Sequence, residues 1–243
     1  MSAGPSRRCR AWCRLGPVGC REQRHPAARR ARDPVRRRKR LRSVLTNLAF
    51  QGSRYGQLSI VGRGPEAVEA LKKASALDPL SAYTAYFLGR TYISLGDYKA
   101  ARATLEKATA LAPQHVMARY WGFLELLEGK PAKALTTFQS HPTKWIQEFG
   151  TAVCEHTLGN EEASRKALAD LLATQSDVAQ YQIAEVYAWR GEADKAFEWL
   201  DRAYTNRDPG VCLVKADPFI VSLRLDPRYA VFLKKLKLPP PLD

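Results

Sequence analysis

Small and bulky apolar positions return along this chain at a fixed interval. Ala67, Leu71, Ala74 and Pro79 recur as Ala101, Leu105, Ala108 and Pro113, each 34 positions on, and Gly62 recurs as Gly96 by the same step. The next step is 33, carrying Gly96, Ala101 and Leu105 to Gly129, Ala134 and Phe138. A shortened unit holds Gly159 and Leu168, and a stronger one holds Tyr187, Gly191, Ala196, Leu200 and Ala203. Self-similarity at this period is the mark of stacked supersecondary units. Between the recurring glycines the apolar residues keep the three-to-four spacing of amphipathic helices. The pattern predicts helices over 65–77, 81–95, 97–111, 114–128, 131–139, 143–158, 160–173, 177–190 and 192–205.

Each residue type has a physical reason to stand where it does. Small residues such as Gly89, Ala101 and Ala108 let paired helices approach closely, while Leu88, Tyr92 and Leu105 fill the space between successive pairs. Gly96 permits the turn between two helices, and Pro113 ends the second of them. The unit Leu88-Gly89, Tyr92, Gly96, Ala101, Leu105, Ala108 and Pro113 resembles the tetratricopeptide repeat (TPR). That resemblance implies an all-α right-handed superhelix of helix-turn-helix hairpins, with the first helices of the hairpins lining a concave groove.

Behind the repeats, Asp208-Pro209, Asp217-Pro218 and Asp226-Pro227 repeat one device. Asp suits a helix N-cap and Pro the first helical position, so helices are expected at about 218–223 and 227–236. The run from Leu213 to Leu238-Pro239 is similar to the ending of bacterial TPR regions found behind adenylate-cyclase, winged-helix regulator or protein-kinase domains. Its expected role is to cover the exposed face of the last repeat, since solenoid ends need a cap.

The boundaries that follow are a leader at 1–42, a transitional segment or degenerate repeat at 43–64, a TPR solenoid at 65–209 and a C-terminal cap at 210–243. Charge separates the first of these from the rest. Residues 1–42 hold fifteen basic residues against Glu22 and Asp33, so the leader carries +13 of the net +15. Such charge density with little apolar surface reads as disordered. Whether the leader is native and functional is left open. The remainder is nearly neutral, so nucleic acid is expected only through the basic leader. No stretch approaches the ~20 apolar residues of a membrane-spanning helix. Five cysteines, three of them in the leader, do not form a disulfide framework, which points to a reducing, cytoplasmic setting.

A search for chemistry returns little. Cys9, Cys13, Cys20 and His25 match no common zinc spacing, and no HExxH, phosphate-cradling loop or Gly-x-Ser-x-Gly is present. No catalytic residue, metal or cofactor is assigned, and the chain is read as no enzyme. The run Arg36-Arg37-Arg38-Lys39-Arg40 lacks the interleaved aromatics of a base-stacking platform. The groove is the better candidate. Transferring the repeat register places Tyr83, Tyr86, Arg90, Arg119, Phe123, Phe149, Val153, His156, Tyr181, Glu185 and Trp189 on its wall. Aromatics with a few charges suit a protein-binding surface. The reading is a non-catalytic scaffold that binds a peptide or protein in this groove. Two alternatives stand beside it: a regulatory fragment of a larger signalling enzyme or transcription regulator, and a TPR body with a basic nucleic-acid-binding arm. The identity of the partner and the oligomeric state stay open.

Overall fold

The computed structural model describes residue 58, residues 61–113 and residues 118–239. All of them lie in the unit Leu45–Asp243. The leader, residues 43–57 and 59–60 of the transitional segment, the start expected for the fourth helix at 114–117 and residues 240–243 of the expected cap lie outside the described residues. Regular structure among the described residues is entirely helical. The elements are α1 (Gly64–Leu77), α2 (Ala82–Leu95), α3 (Tyr98–Leu111), α4 (Ala118–Leu127), α5 (Pro131–Gln139), α6 (Lys144–Thr157), α7 (Glu161–Gln175), α8 (Gln180–Trp189) and α9 (Ala193–Thr205). Two 3-10 segments follow, Pro209–Leu213 and Pro218–Leu225, and then α10 (Pro227–Lys235).

Local chemistry sets these limits. Ser81 Oγ accepts the Thr84 N–H at 3.1 Å and opens α2, while Asp97 Oδ1 accepts the Ala100 N–H at 3.0 Å and opens α3. The recurring turn glycines Gly62, Gly96, Gly129, Gly159 and Gly191 all sit at φ between 75° and 87°, the left-handed region that an L side chain rarely enters. The interval seen in the sequence is therefore an interval of backbone conformation.

Consecutive helices pair as hairpins α2–α3, α4–α5, α6–α7 and α8–α9, and α1 packs on α2 as α5 does on α6. The result is the TPR-type stack that the repeat implies. One core runs from Phe123 and Leu126 in α4 to Phe232 and Leu233 in α10. Its tightest point is Phe138, fully buried in α5. The ring occupies the space left by two glycines: a Cβ at Gly122 would stand 2.6 Å from it, and one at Gly150 closer still. Cys154 lies in the same core, and burial pushes its thiol up to about 12.

Helix α8 departs from the others. Gln180, Tyr181 and Ile183 through Ala188 are all buried, which leaves only Gln182 and Trp189 of this helix half-buried. Helix α9 covers one side, α6 and α7 a second, and the 3-10 segments a third. The expected helix at 218–223 is instead a 3-10 segment extending to Leu225, broken by a non-helical Ile220 at φ −105° and ψ 15°. The capping segment does more than cover the last hairpin. Arg228 and Lys235 do pair with Asp194 and Asp201 of α9, both at the surface. The stretch before them, however, turns inward onto the first helices of the stack.

Gly150→Ala is expected to destabilise the fold although alanine favours helix by about 1 kcal/mol. Overpacking against Phe138 costs about 1–3 kcal/mol and outweighs that preference. Urea unfolding followed by circular dichroism checks it; an unchanged or raised midpoint would show that Phe138 yields freely.

Candidate functional site

The first helices α2, α4, α6 and α8 form one wall. Along it the rings make a continuous series: Tyr83 and Phe87 (centroids 4.6 Å apart), Tyr86 and Phe87 (5.1 Å), Tyr86 and Tyr120 (5.0 Å), Tyr120 and Phe123 (5.6 Å), Phe123 and Phe149 (5.7 Å). Most of these contacts are edge-on or tilted, the arrangement that the ring quadrupole favours. Arg119 lies 4.9 Å over Phe123, 5.3 Å over Trp145 and 5.7 Å over Phe149, and Arg90 lies 5.5 Å over Phe87.

The C-terminal half of this wall is covered by the chain itself. Phe219, 1% exposed, enters between Phe123 (4.5 Å), Trp189 (5.0 Å) and Phe149 (5.6 Å), rings supplied by three different first helices. Asp217 anchors it. One carboxylate oxygen accepts the Phe219 N–H at 2.8 Å, and the other accepts the Tyr181 hydroxyl at 2.9 Å. Asp208 accepts the backbone N–H of Tyr181 at 3.0 Å, so two of the three Asp-Pro steps grip one residue of α8. Further along, Ser94 of α2 donates to the Ala216 carbonyl, and Ser222 donates to the Ala188 carbonyl at 3.0 Å. The segment thus reaches across the groove from α8 to α2.

Beneath Asp217 lies Glu185, buried and 3.4 Å from Arg119 Nη2. Burial, and then the neighbouring charge of Asp217, hold the Glu185 carboxyl well above the usual carboxylate range, while Arg119 pulls the other way. Burial and the nearby Asp217 charge both favour the protonated form of Glu185 over its carboxylate. Burial and Asp217 likewise raise the Tyr181 hydroxyl well above its ordinary value, keeping it a donor. A cavity of about 40 Å³ remains at the rim, lined by Arg90, Arg119, Glu185 and Asp217 among others. It has room for ordered water rather than for a ligand.

The eleven residues placed on the wall by register therefore divide. Tyr83 is 42% exposed and Tyr86 half-buried, at the end of the groove that the segment leaves uncovered, while half-buried Arg90 lines the cavity at the segment's edge beside Ala216 and Asp217. Phe123, Phe149, Tyr181 and Glu185 are buried, and Arg119 and Trp189 half-buried, around the inserted segment. Val153 is fully buried among the helices. His156 is drawn to the α6–α7 turn, where Glu161 binds its Nδ1 at 2.5 Å. Sequence reasoning did not pick out Phe87, Tyr120, Asp217 or Phe219 as part of the site. A signal for the last two existed: α8 carries Tyr181, Ile183, Ala184, Val186, Tyr187 and Ala188 around its circumference, and a helix with apolar residues on so many sides needs cover beyond its hairpin partner.

Among the described residues, no group of three His, Cys, Asp or Glu could hold a metal, and no helix is long and apolar enough to cross a membrane. Residues 61–127 match the tetratricopeptide repeat model. A TPR protein of Thermus thermophilus is similar in structure, at 19% identity and a TM-score of 0.52, over 78% of this chain and 98% of that one. PilW, described as a widely conserved type IV pilus biogenesis factor, is similar at 16% identity and a TM-score of 0.46, over 76% of this chain and 98% of its own. No curated protein matches the sequence.

Glu185→Gln is expected to flatten the dependence of melting temperature on pH. The native carboxyl keeps its proton above the value near 4.5 at which the unfolded one ionises. Its stabilising contribution is thus complete below that pH and lost as pH rises through the native value. Wild type should lose stability relative to the variant on going from about pH 5 to about pH 8, above the ordinary carboxylate range, read by circular dichroism melts. Parallel curves would show that Glu185 is ionised throughout.

Proposed function

We propose that this TPR fold is a non-catalytic scaffold that holds a protein or peptide in its concave groove, entered at the end formed by α2 and α4. The observation that supports this reading is the ring series Tyr83, Tyr86, Phe87 and Tyr120, partly exposed beside the Arg90 guanidinium. Tyr and Arg are the side chains that most often anchor protein interfaces, since each offers a large apolar area with a polar tip. Paired helices hold the rings in place, so little freedom is lost when a partner arrives. Arg119, Phe123, Phe149, Tyr181, Glu185 and Trp189 complete the proposed groove set, with the covered ones acting from beneath, whereas Val153 and His156 fall outside it. A reducing, cytoplasmic setting accords with the free cysteines Cys154 and Cys212.

Photo-cross-linking tests the open end. Benzoylphenylalanine in place of Tyr83 should capture a defined partner, and Arg90→Ala or Tyr86→Ala should cut its yield several-fold, as loss of one interface anchor costing about 1–2 kcal/mol does. The same probe at Tyr204, on the second helix α9, serves as control. An identical set of products from both positions would sink the proposal.

A further inference from the structure

We propose that Leu213–Leu223 is an intramolecular ligand of the groove, and that the partner is a segment of the same chemistry, Asp-Pro-Phe, which takes its place. This rests on the scaffold reading above and names the ligand class of that groove.

The inserted stretch is not built as a repeat. It adds no hairpin, and its 3-10 turns are interrupted at Ile220. Its specific anchors on the wall of rings are the Asp217 carboxylate and the Phe219 ring, flanked by single bonds from Ser94 and to Ala188, with Ile220 and Leu223 buried beside them. Asp217 Oδ1 caps the Phe219 N–H two positions on, a bond made within the motif itself. A free peptide carrying Asp-Pro-Phe favours the same turn, because the Asp carboxylate reaches the backbone N–H two residues on without help from the protein. The remaining carboxylate oxygen is then directed to the Tyr181 hydroxyl, and the ring enters the cage of Phe123, Phe149 and Trp189. An aromatic anchor in a desolvated pocket beside a charge-assisted hydrogen bond is the usual core of a peptide site.

Comparison among the three Asp-Pro steps supports the assignment. Asp208 caps Gly210 at 2.7 Å and Asp226 caps Arg228 at 2.9 Å, so all three form the same turn. Only the middle one carries an aromatic residue after Pro and sends it into the groove. In the first, Gly210 lies flat against Tyr181, where a Cβ would stand 2.6 Å from that side chain. In the third, the Asp226 carboxylate is taken up by Arg228 at the surface. Turn formation alone therefore does not explain Phe219; the groove does.

A tethered segment acts at an effective concentration on the order of millimolar. A free peptide making only the same contacts would lose to it at micromolar levels. The partner must add contacts at the open end, by Tyr86 and Arg90, or act when the tether is loosened.

The probe is a fluorescein-labelled peptide with the sequence of residues 213–225, read by fluorescence anisotropy against the full chain. Phe219→Ala in the chain should tighten its binding at least tenfold over wild type. Replacing Phe by Ala in the peptide should abolish binding, and adding Tyr181→Phe to the loosened chain should weaken it about tenfold, as expected for a hydrogen bond to a charged group. A folded Phe219→Ala chain that binds no better than wild type would overturn the inference. Hydrogen exchange on the wild-type chain decides the matter should Phe219→Ala not fold. Amides of 216–223 exchanging as a unit well before those of α6 to α9 are expected, and exchange together with those helices would overturn it. Failure of the peptide with cross-linking at Tyr83 intact removes this inference alone; the reverse removes only the reading of the open end.

Discussion

Tyr181 is held from two directions, by Asp208 at its backbone N–H and by Asp217 at its hydroxyl, and the course of the chain beyond the last hairpin depends on that grip. The side chain is fully buried. A buried donor or acceptor left without its partner costs about 1–3 kcal/mol, and more where a charge is involved. Neither carboxylate leaves Tyr181 without that penalty unless another group takes its place, so the two Asp-Pro turns are held at the backbone and hydroxyl ends of one residue. Phe219 follows Asp217 by two residues and is thereby directed into the ring cage. Helix, turn and aromatic plug are one polar and apolar unit.

That unit meets a wall assembled by a different rule. Between repeats, contact is made by pairing a bulky residue with the absence of one, as Phe138 does with Gly122 and Gly150. Small and large positions alternate so that helices approach to backbone distance, which fixes the spacing of the first helices and hence of the rings they present. The polar grip chooses where the C-terminal segment lies; the apolar alternation determines that a ring-sized gap is there to receive it.

Much of this was legible in the sequence for reasons that can be stated. A turn at positive φ demands glycine, so Gly62, Gly96, Gly129, Gly159 and Gly191 marked the hairpins directly. The helices from 65 to 205 followed from spacing between those marks. The Asp-Pro steps gave the onset of the later turns, since cap and ring both act locally. What spacing cannot express is direction after a turn. Nothing in Asp217-Pro218 distinguishes a segment that lies over the end of a stack from one that bends into its groove, and the break at Ile220 depends on tertiary packing. The division among groove residues has a similar origin. At about 100° per residue, one position separates a residue facing the concave side from one facing the neighbouring helix, which is how Val153 came to lie among helices while Tyr83 stayed in the open.

The bond from Ser94 to the Ala216 carbonyl joins residues 122 apart in sequence. A stack of repeats is ordinarily folded from nearest neighbours, and any stretch of it can form as it leaves the ribosome. Here the wall of rings is complete once α8 has emerged, whereas the 3-10 segment that seals it is synthesised afterwards. For that interval the nascent chain carries an uncovered aromatic trough. Closure of this long loop is therefore a late event in the making of the fold, and the time before it is when this protein is most exposed to chaperones and to stray association.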